Sequence, residues 1–264
     1  MEIKAYAKIN LSLNIVSLGK MHALDSVMAR VDLFDSVTIN PNQEFCVRYD
    51  LGIEGGGTVE KAYGIIERDC SDLAHPISVD VKKGIPIGAG LGGSSADSAA
   101  VMRYFGVTNS EIALKAGSDV PFMSGSGAAR VQGLGEKITP VFCPEMYFVL
   151  LTGGCVLSRD SFVKFDEIYG APHSPTDNGR LIDAMKASDF SEIGRLIGNA
   201  LSQPSMRLNP KISDAYARFH DHNPLGIVMT GSGSGVIALF DSHRRASEVA
   251  TAVGGRVIKT LKSE

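Results

Sequence analysis

The sequence predicts an α+β fold, and three observations carry that expectation. Strand-like and helix-like segments follow one another in mixed order, without the regular alternation that builds a doubly wound parallel sheet. Three segments of the first half alternate apolar and polar residues with period two, as strands with one buried face do. The second half sets amphipathic helical stretches between short apolar strands. At ~100–200 residues per domain, 264 residues make one large domain or two small lobes.

In chain order, Ile9, Leu11, Leu13 and Ile15 form the apolar face of the first strand, with Lys8, Asn10, Ser12 and Asn14 on the other side. Residues 27–39 and 77–81 alternate in the same way, the latter leading into a cluster of glycines. Residues 94–105 read as a helix closed by Gly106, where a C-terminal glycine belongs. Residues 110–116 form a shorter helix with Glu111 in its first turn, ended by Gly117. After Pro140 the pattern changes to a strand at 147–151 and helices near 160–169, 178–187, 190–201 and 211–222. Strands at 227–230 and 236–240 flank a Gly-Ser-Gly-Ser-Gly run, and a helix at 242–253 and a strand at 257–261 complete the pattern. The best lobe boundary falls near residues 143–146, dividing the chain into 1–143 and 144–264.

Composition excludes several function classes. Lysine plus arginine number 26 against 29 acidic residues, a net charge of −3, so no basic field draws nucleic acid or anionic lipid. No apolar run reaches the ~18 residues of a membrane helix. Lys4 and Lys8 interrupt any N-terminal leader pattern, so a cytoplasmic protein is expected. The four cysteines, Cys46, Cys70, Cys143 and Cys155, are far apart and form no metal or redox pair, and His220 and His222 lie on a helical stretch at a spacing that points them apart. Glycine stands out: 29 in 264 residues, against a usual ~7%.

Five of these glycines lie between Gly84 and Gly93, ahead of a helix that starts Ser94-Ser95. Gly88, Gly90 and Gly93 fit G-x-G-x-x-G, but the strand before them is amphipathic and no second strand with an acidic end follows, so a dinucleotide fold is not supported. The Gly-Lys-Ser/Thr ending of a P-loop is absent. Close backbone approach, the free N–H groups of a helix start and two hydroxyls together still make a phosphate cradle. Lys8 alone reads as a lysine on the solvated face of an edge strand, and Asp119, in Gly117-Ser-Asp-Val-Pro-Phe122, as a turn aspartate. A cradle, a lysine and an aspartate together match phosphoryl transfer. The aspartate would orient or deprotonate a hydroxyl while the lysine and Mg²⁺ stabilise charge.

Pro86-Ile-Gly-Ala-Gly-Leu-Gly-Gly-Ser-Ser-Ala-Asp97 closely resembles the second motif of the GHMP kinases. Ala7-Lys8-Ile9-Asn10-Leu11, Gly117-Ser-Asp-Val-Pro-Phe122 and Met229-Thr-Gly-Ser-Gly-Ser-Gly235 resemble the branch of that superfamily acting on 4-diphosphocytidyl-2-C-methyl-D-erythritol, in the same order and spacing over nearly the whole chain. The resemblance implies a two-lobed fold, with an N-terminal lobe like ribosomal protein S5 domain 2 and a ferredoxin-like C-terminal lobe. It implies transfer of the ATP γ-phosphoryl group to the 2-hydroxyl of that substrate, in non-mevalonate isoprenoid precursor synthesis, with ATP and Mg²⁺ as cofactors. It makes Asp119 the base and Lys8 its charged partner, with Asn10, His22 and Asp119 on the substrate. Pro86, Gly88, Gly90, Leu91, Gly92, Gly93, Ser94 and Ser95 would hold ATP, and residues 231–235 would close the site. Metal ligands are not assigned, the partners are small molecules, and the chain is expected as a monomer or homodimer.

Two positions depart from the branch pattern. Met21 stands where an aromatic residue precedes His22, offering a polarizable sulfur but no ring stacking. The usual Asn of Asn-Leu-x-x-Lys-Ala is missing from Gly57-Thr-Val-Glu-Lys61-Ala62. Phe162 or Phe165 would then supply an aromatic wall for the cytosine. A kinase for another small alcohol, homoserine or a mevalonate derivative, and a nucleotide-binding protein without turnover are the alternatives.

Overall fold

One long strand organises the molecule. In the computed structural model, which describes residues 1–50 and 57–262, β3 (Ala23–Pro41) follows β1 (Glu2–Asn10) and β2 (Ser12–Ser17) and runs 19 residues. Strands β1 and β2 pair antiparallel along one edge of β3. Along the other edge lie β5 (Ile77–Lys82) and β6 (Ala128–Gly133). β4 (Cys46–Tyr49) adds parallel to β5 and β7 (Lys137–Val141) antiparallel to β6. The second sheet, in the order β10–β11–β8–β12, is antiparallel throughout: β8 (Tyr147–Thr152), β10 (Gly226–Met229), β11 (Gly235–Phe240) and β12 (Arg256–Lys259). β9 (Gly198–Asn199), from the second half of the chain, pairs parallel with β2 of the first sheet.

Helices α1 (Thr58–Asp69), α2 (Gly93–Tyr104), α3 (Ser110–Ala116) and α4 (Val120–Ser124) belong to the first half of the chain. The small residues Ala96, Ser98, Ala99 and Ala100 let α2 lie closely against β1, β3, α1 and α4. The second half carries α5 (Ser158–Ile168), α6 (Asn178–Ala187), α7 (Phe190–Leu196), α8 (Ser202–Leu208), α9 (Pro210–His220) and α10 (His243–Val253). β8 is apolar at every position from Phe148 to Leu151 because it is covered twice. Phe148 and Leu150 join the core under the first sheet, and Val149 and Leu151 join the core formed with Phe165, Phe219 and Met229.

The mixed α+β order expected from the sequence is present. Three local expectations change. The helix expected over 190–201 stops at Leu196, because Gly198 N–H and Ala200 N–H bond to the carbonyls of Leu11 and Leu13 in β2. α8 follows as an element the periodicity did not reveal. The first strand breaks at Leu11 into β1 and β2, and its polar face is not solvated: Lys8, Asn10, Ser12 and Asn14 are all buried. Residues far along the chain cover that face. Ser12 Oγ donates to Asn178 Oδ1 at 2.5 Å, Asn14 Nδ2 to the Thr176 carbonyl at 2.8 Å, and Gly231 N–H to Asn10 Oδ1 at 3.0 Å. Each buried polar group thus recovers the bonds it loses from water. Among the described residues no helix is long and apolar enough to cross a membrane.

Candidate active site

A cavity of about 1020 Å³ opens where the two sheets meet, and the expected site residues Lys8, Asn10, His22, Pro86, Gly88, Gly90, Leu91, Gly92, Gly93, Ser94, Ser95 and Asp119 all line it. Its floor begins at an irregularity of β1. Between Tyr6 and Lys8 the pairing with β3 slips, from Phe34 to Arg30, and Lys8 N–H bonds instead to the Leu91 carbonyl at 3.0 Å. A bulge re-aims the side chain that follows it. Lys8 is only 3% exposed, and its ammonium donates to Asn10 Oδ1 at 2.6 Å and lies 3.3 Å from Asp119 Oδ2. The Asn10 amide is spent within the protein, accepting from Lys8 and Gly231 N–H and donating to Ser26 Oγ at 2.8 Å. It steers the ammonium.

Asp119 sits between α3 and α4. Although it occupies the N-cap position of α4, its carboxylate caps nothing, and its side chain is 29% exposed toward the cavity. The charged partners are therefore a fixed lysine and a reachable carboxylate.

The glycine-rich bend lies above this pair. Gly88, Gly90 and Gly92 have φ of +72°, +72° and +71°, left-handed conformations that glycine adopts without a Cβ clash. Gly92 is the N-cap of α2 and no side chain caps that end, which leaves the first-turn N–H groups available to an anion. The second glycine run locks onto the first. Ser234 N–H and Gly235 N–H bond to the carbonyls of Gly88 and Ala89 at 3.3 and 3.0 Å, and Gly231, Ser232 and Gly233 line the cavity. Ser161 Oγ and Ser205 Oγ each donate to the Ser232 carbonyl at 2.9 Å, fixing the run from behind.

One end of the cavity is aromatic. His22 Nε2 lies 2.8 Å from Asp166 Oδ1, its Nδ1 lies 3.2 Å from the Gly19 carbonyl, and its ring meets Phe162 edge-on at 5.5 Å. Of the two phenylalanines, Phe162 lines the cavity, whereas Phe165 is fully buried in the core beneath. Met21 lines the same recess and is 60% exposed.

Tyr49, Gly57, Thr58, Lys83, Ile85, Pro86 and Asp97 also line the cavity. Here Lys83 Nζ contacts Asp35 Oδ2 at 2.5 Å and Asp97 Oδ2 at 2.7 Å. Burial draws the Lys83 ammonium down, but the two carboxyls outweigh it and hold it above the usual lysine range. Burial pushes the Asp97 carboxyl up to about 7, the Asp35 charge adding to that rise and Lys83 opposing it. Sequence reasoning did not single out Asp35, Lys83, Asp97 or Asp166. Asp97 stood inside the quoted motif, but Asp35 meets Lys83 across 48 residues and Asp166 meets His22 across 144, separations that no local pattern encodes.

Residues 57–127 match the family described as "GHMP kinases N terminal domain", and residues 181–259 match "GHMP kinases C terminal". The 4-diphosphocytidyl-2-C-methyl-D-erythritol kinase of Carboxydothermus hydrogenoformans is 32% identical over 269 residues, covering 94% of this chain and 91% of that protein. The chain belongs to the 4-diphosphocytidyl-2-C-methyl-D-erythritol kinase family of GHMP kinases. A second relative of that name, from Pseudothermotoga lettingae, is 30% identical over 258 residues, with 89% of this chain and 90% of the relative covered. A crystal structure of 4-(cytidine 5'-diphospho)-2C-methyl-D-erythritol kinase superposes over the full length of both chains with a TM-score of 0.82 at 24% identity, which establishes the shared fold.

Proposed function

We propose that this chain transfers the γ-phosphoryl group of ATP to the 2-hydroxyl of 4-diphosphocytidyl-2-C-methyl-D-erythritol. The observation that carries the reading is the Lys8–Asp119 pair, 3.3 Å apart in the cavity that the glycine bend and the His22–Phe162 recess also line. Asp119 takes the proton of the attacking hydroxyl. The new O–P bond forms as the bond from the γ-phosphorus to the bridging oxygen breaks, and ADP leaves. Lys8, aimed by Asn10, neutralises charge on the transferring group. Residues 86–95 hold the phosphates through backbone N–H groups, with residues 231–235 as the opposing wall. His22, Phe162 and the sulfur of Met21 receive the cytosine. The lobes are residues 1–143 and 144–264.

Among the described residues no group of three or more His, Cys, Asp or Glu side chains is placed to hold a metal ion. A magnesium ion would therefore be bound mainly through the phosphates, a common mode for that ion, and no step above depends on it.

ADP release with ATP and Mg²⁺ tests the reading against four alcohols: the cytidine-linked methylerythritol, homoserine, mevalonate and phosphomevalonate. Turnover of the first alone is expected. Turnover of another member alone would transfer the assignment to that alcohol, and nucleotide binding without ADP release on any of them would make the chain a binding protein.

A further inference from the structure

A cluster of two carboxyls and one ammonium lies behind the glycine bend, outside the catalytic pair. Asp35 Oδ1 accepts from Gly84 N–H at 2.6 Å and Ile85 N–H at 2.8 Å, so it holds the leading end of the bend. Asp97 stands on α2, whose start is the trailing end. Lys83 bonds both carboxyls. We propose that Asp97 is a positioning residue for the phosphate cradle, which as a neutral acid bonds the Asp35 carboxylate and, through Lys83, ties the two ends of the bend together. The inference rests on the reading of residues 86–95 as that cradle.

Charge balance supplies the first argument. The cluster is buried, and two carboxylates against one ammonium would leave an uncompensated negative charge there. An unpaired buried charge is removed by protonation rather than tolerated. The surrounding elements offer no relief. On α1, Lys61 donates to the Ala116 carbonyl and Glu60 is acidic. On β4, Tyr49 is a phenol held above its usual range, first by burial and then by Glu60 and Asp97. On β1, Lys8 is engaged by Asn10 and Asp119. Arg103, farther along α2, reaches the Lys4 carbonyl, and Lys115 of α3 pairs with Asp69.

The hydrogen-bond inventory then says which carboxyl carries the proton. Asp35 receives two backbone N–H groups and the ammonium, all of which favour the ion. Asp97 receives the ammonium on Oδ2, while its Oδ1, at a residue only 2% exposed, has no partner among protein atoms. Asp35 Oδ2 and Asp97 Oδ2 converge on the one Lys83 ammonium, at 2.5 and 2.7 Å, so a proton on Asp97 replaces the repulsion between them with a carboxyl-to-carboxylate bond. When Asp97 ionises, the two carboxylates repel, and the repulsion acts on the two ends of the bend. Bound phosphates add negative charge nearby and favour the protonated form, so nucleotide binding and proton uptake support each other.

The test compares the full-length protein with Asp97→Asn, whose amide mimics the neutral acid. In the wild type the KM for ATP should rise at least about fivefold from pH 6 to pH 8.5, the low end of ordinary coupling. In Asp97→Asn that rise should shrink to the part due to titration of ATP itself, which both proteins share. An equal rise in both proteins overturns the proposal while leaving the kinase reading intact; absence of ATP binding by the wild type at any pH overturns the cradle instead. A second measurement needs neither a variant nor turnover. The ¹³C carboxyl shift of Asp97 in nucleotide-free protein should titrate near neutrality, and a midpoint in the ordinary aspartate range refutes the neutral acid.

Discussion

Replacing Gly90 by alanine tests whether the two glycine runs form one interlocked unit. A Cβ at Gly90 would lie 2.2 Å from the Thr230 carbonyl oxygen and 3.2 Å from that of Gly233, both main-chain atoms. Gly106 supplies the control: its φ of +69° nearly equals the +72° of Gly90, yet nothing lies within 4 Å of its added Cβ. The left-handed conformation costs alanine about 1–2 kcal/mol at either position. At Gly90 the clash must also move the runs apart by about 1 Å, weakening the bonds from Gly235 to Ala89 and Ser234 to Gly88, each worth about 0.5–1.5 kcal/mol. The totals are about 1–2 kcal/mol for Gly106→Ala and about 2–5 kcal/mol for Gly90→Ala. At about 2 °C per kcal/mol for a chain of this length, Tm should fall ~2–4 °C and ~4–10 °C respectively. Scanning calorimetry reads these shifts, and ADP release should show a KM for ATP raised at least ~10-fold only in Gly90→Ala. Equal losses of Tm with unchanged KM in both variants would refute the interlock.

Asp119→Asn should lower kcat at least ~10²-fold with the fold intact, and near-normal kcat removes it as the base. Lys8→Ala should reduce kcat more than ATP affinity, because its charge acts on the transition state; equal losses would make it a ground-state binder. His22→Ala should raise the KM for the cytidine-linked substrate and leave ATP binding alone, and a parallel fall in both affinities refutes the base recess. Stability should also respond to pH through Asp97. With its folded value raised to about 7, the native state binds more protons than the unfolded chain between about pH 4 and pH 7. Stability from this group therefore falls as pH rises across that window and levels off above it, by no more than about 4 kcal/mol. Urea midpoints at pH 5.5 and pH 8 should converge in Asp97→Asn, and an unaltered difference refutes the assignment.

The parts of the site readable from sequence were those encoded locally. The glycine bend announces itself because positive φ and close backbone approach require glycine at Gly88, Gly90 and Gly92. The period-two runs marked β3 and β5 because one face of each packs on a core. The burial of Lys8 was not legible: alternation shows which residues share a face, but not that residues 176–178 and 229–231 return to cover the polar one. Likewise nothing near Phe190 says that Gly198 will pair with β2, a tertiary bond that overrides the helical pattern. The choice between Phe162 and Phe165 needed the helix phase of α5 against the cavity, which three residues of spacing alone do not supply.

The covering of Ser12 and Asn14 by Asn178 and Thr176, and of Asn10 by Gly231, bears on how the protein is made. A nascent chain that has emerged only as far as β7 has every sheet neighbour of β3, yet it carries a row of hydrophilic side chains whose partners are still to be translated. That row stays wet until the later helices arrive. The ammonium of Lys8 and the N–H of Gly231 meet at the same Asn10 oxygen, so the catalytic arrangement is completed only after the second glycine run has been made.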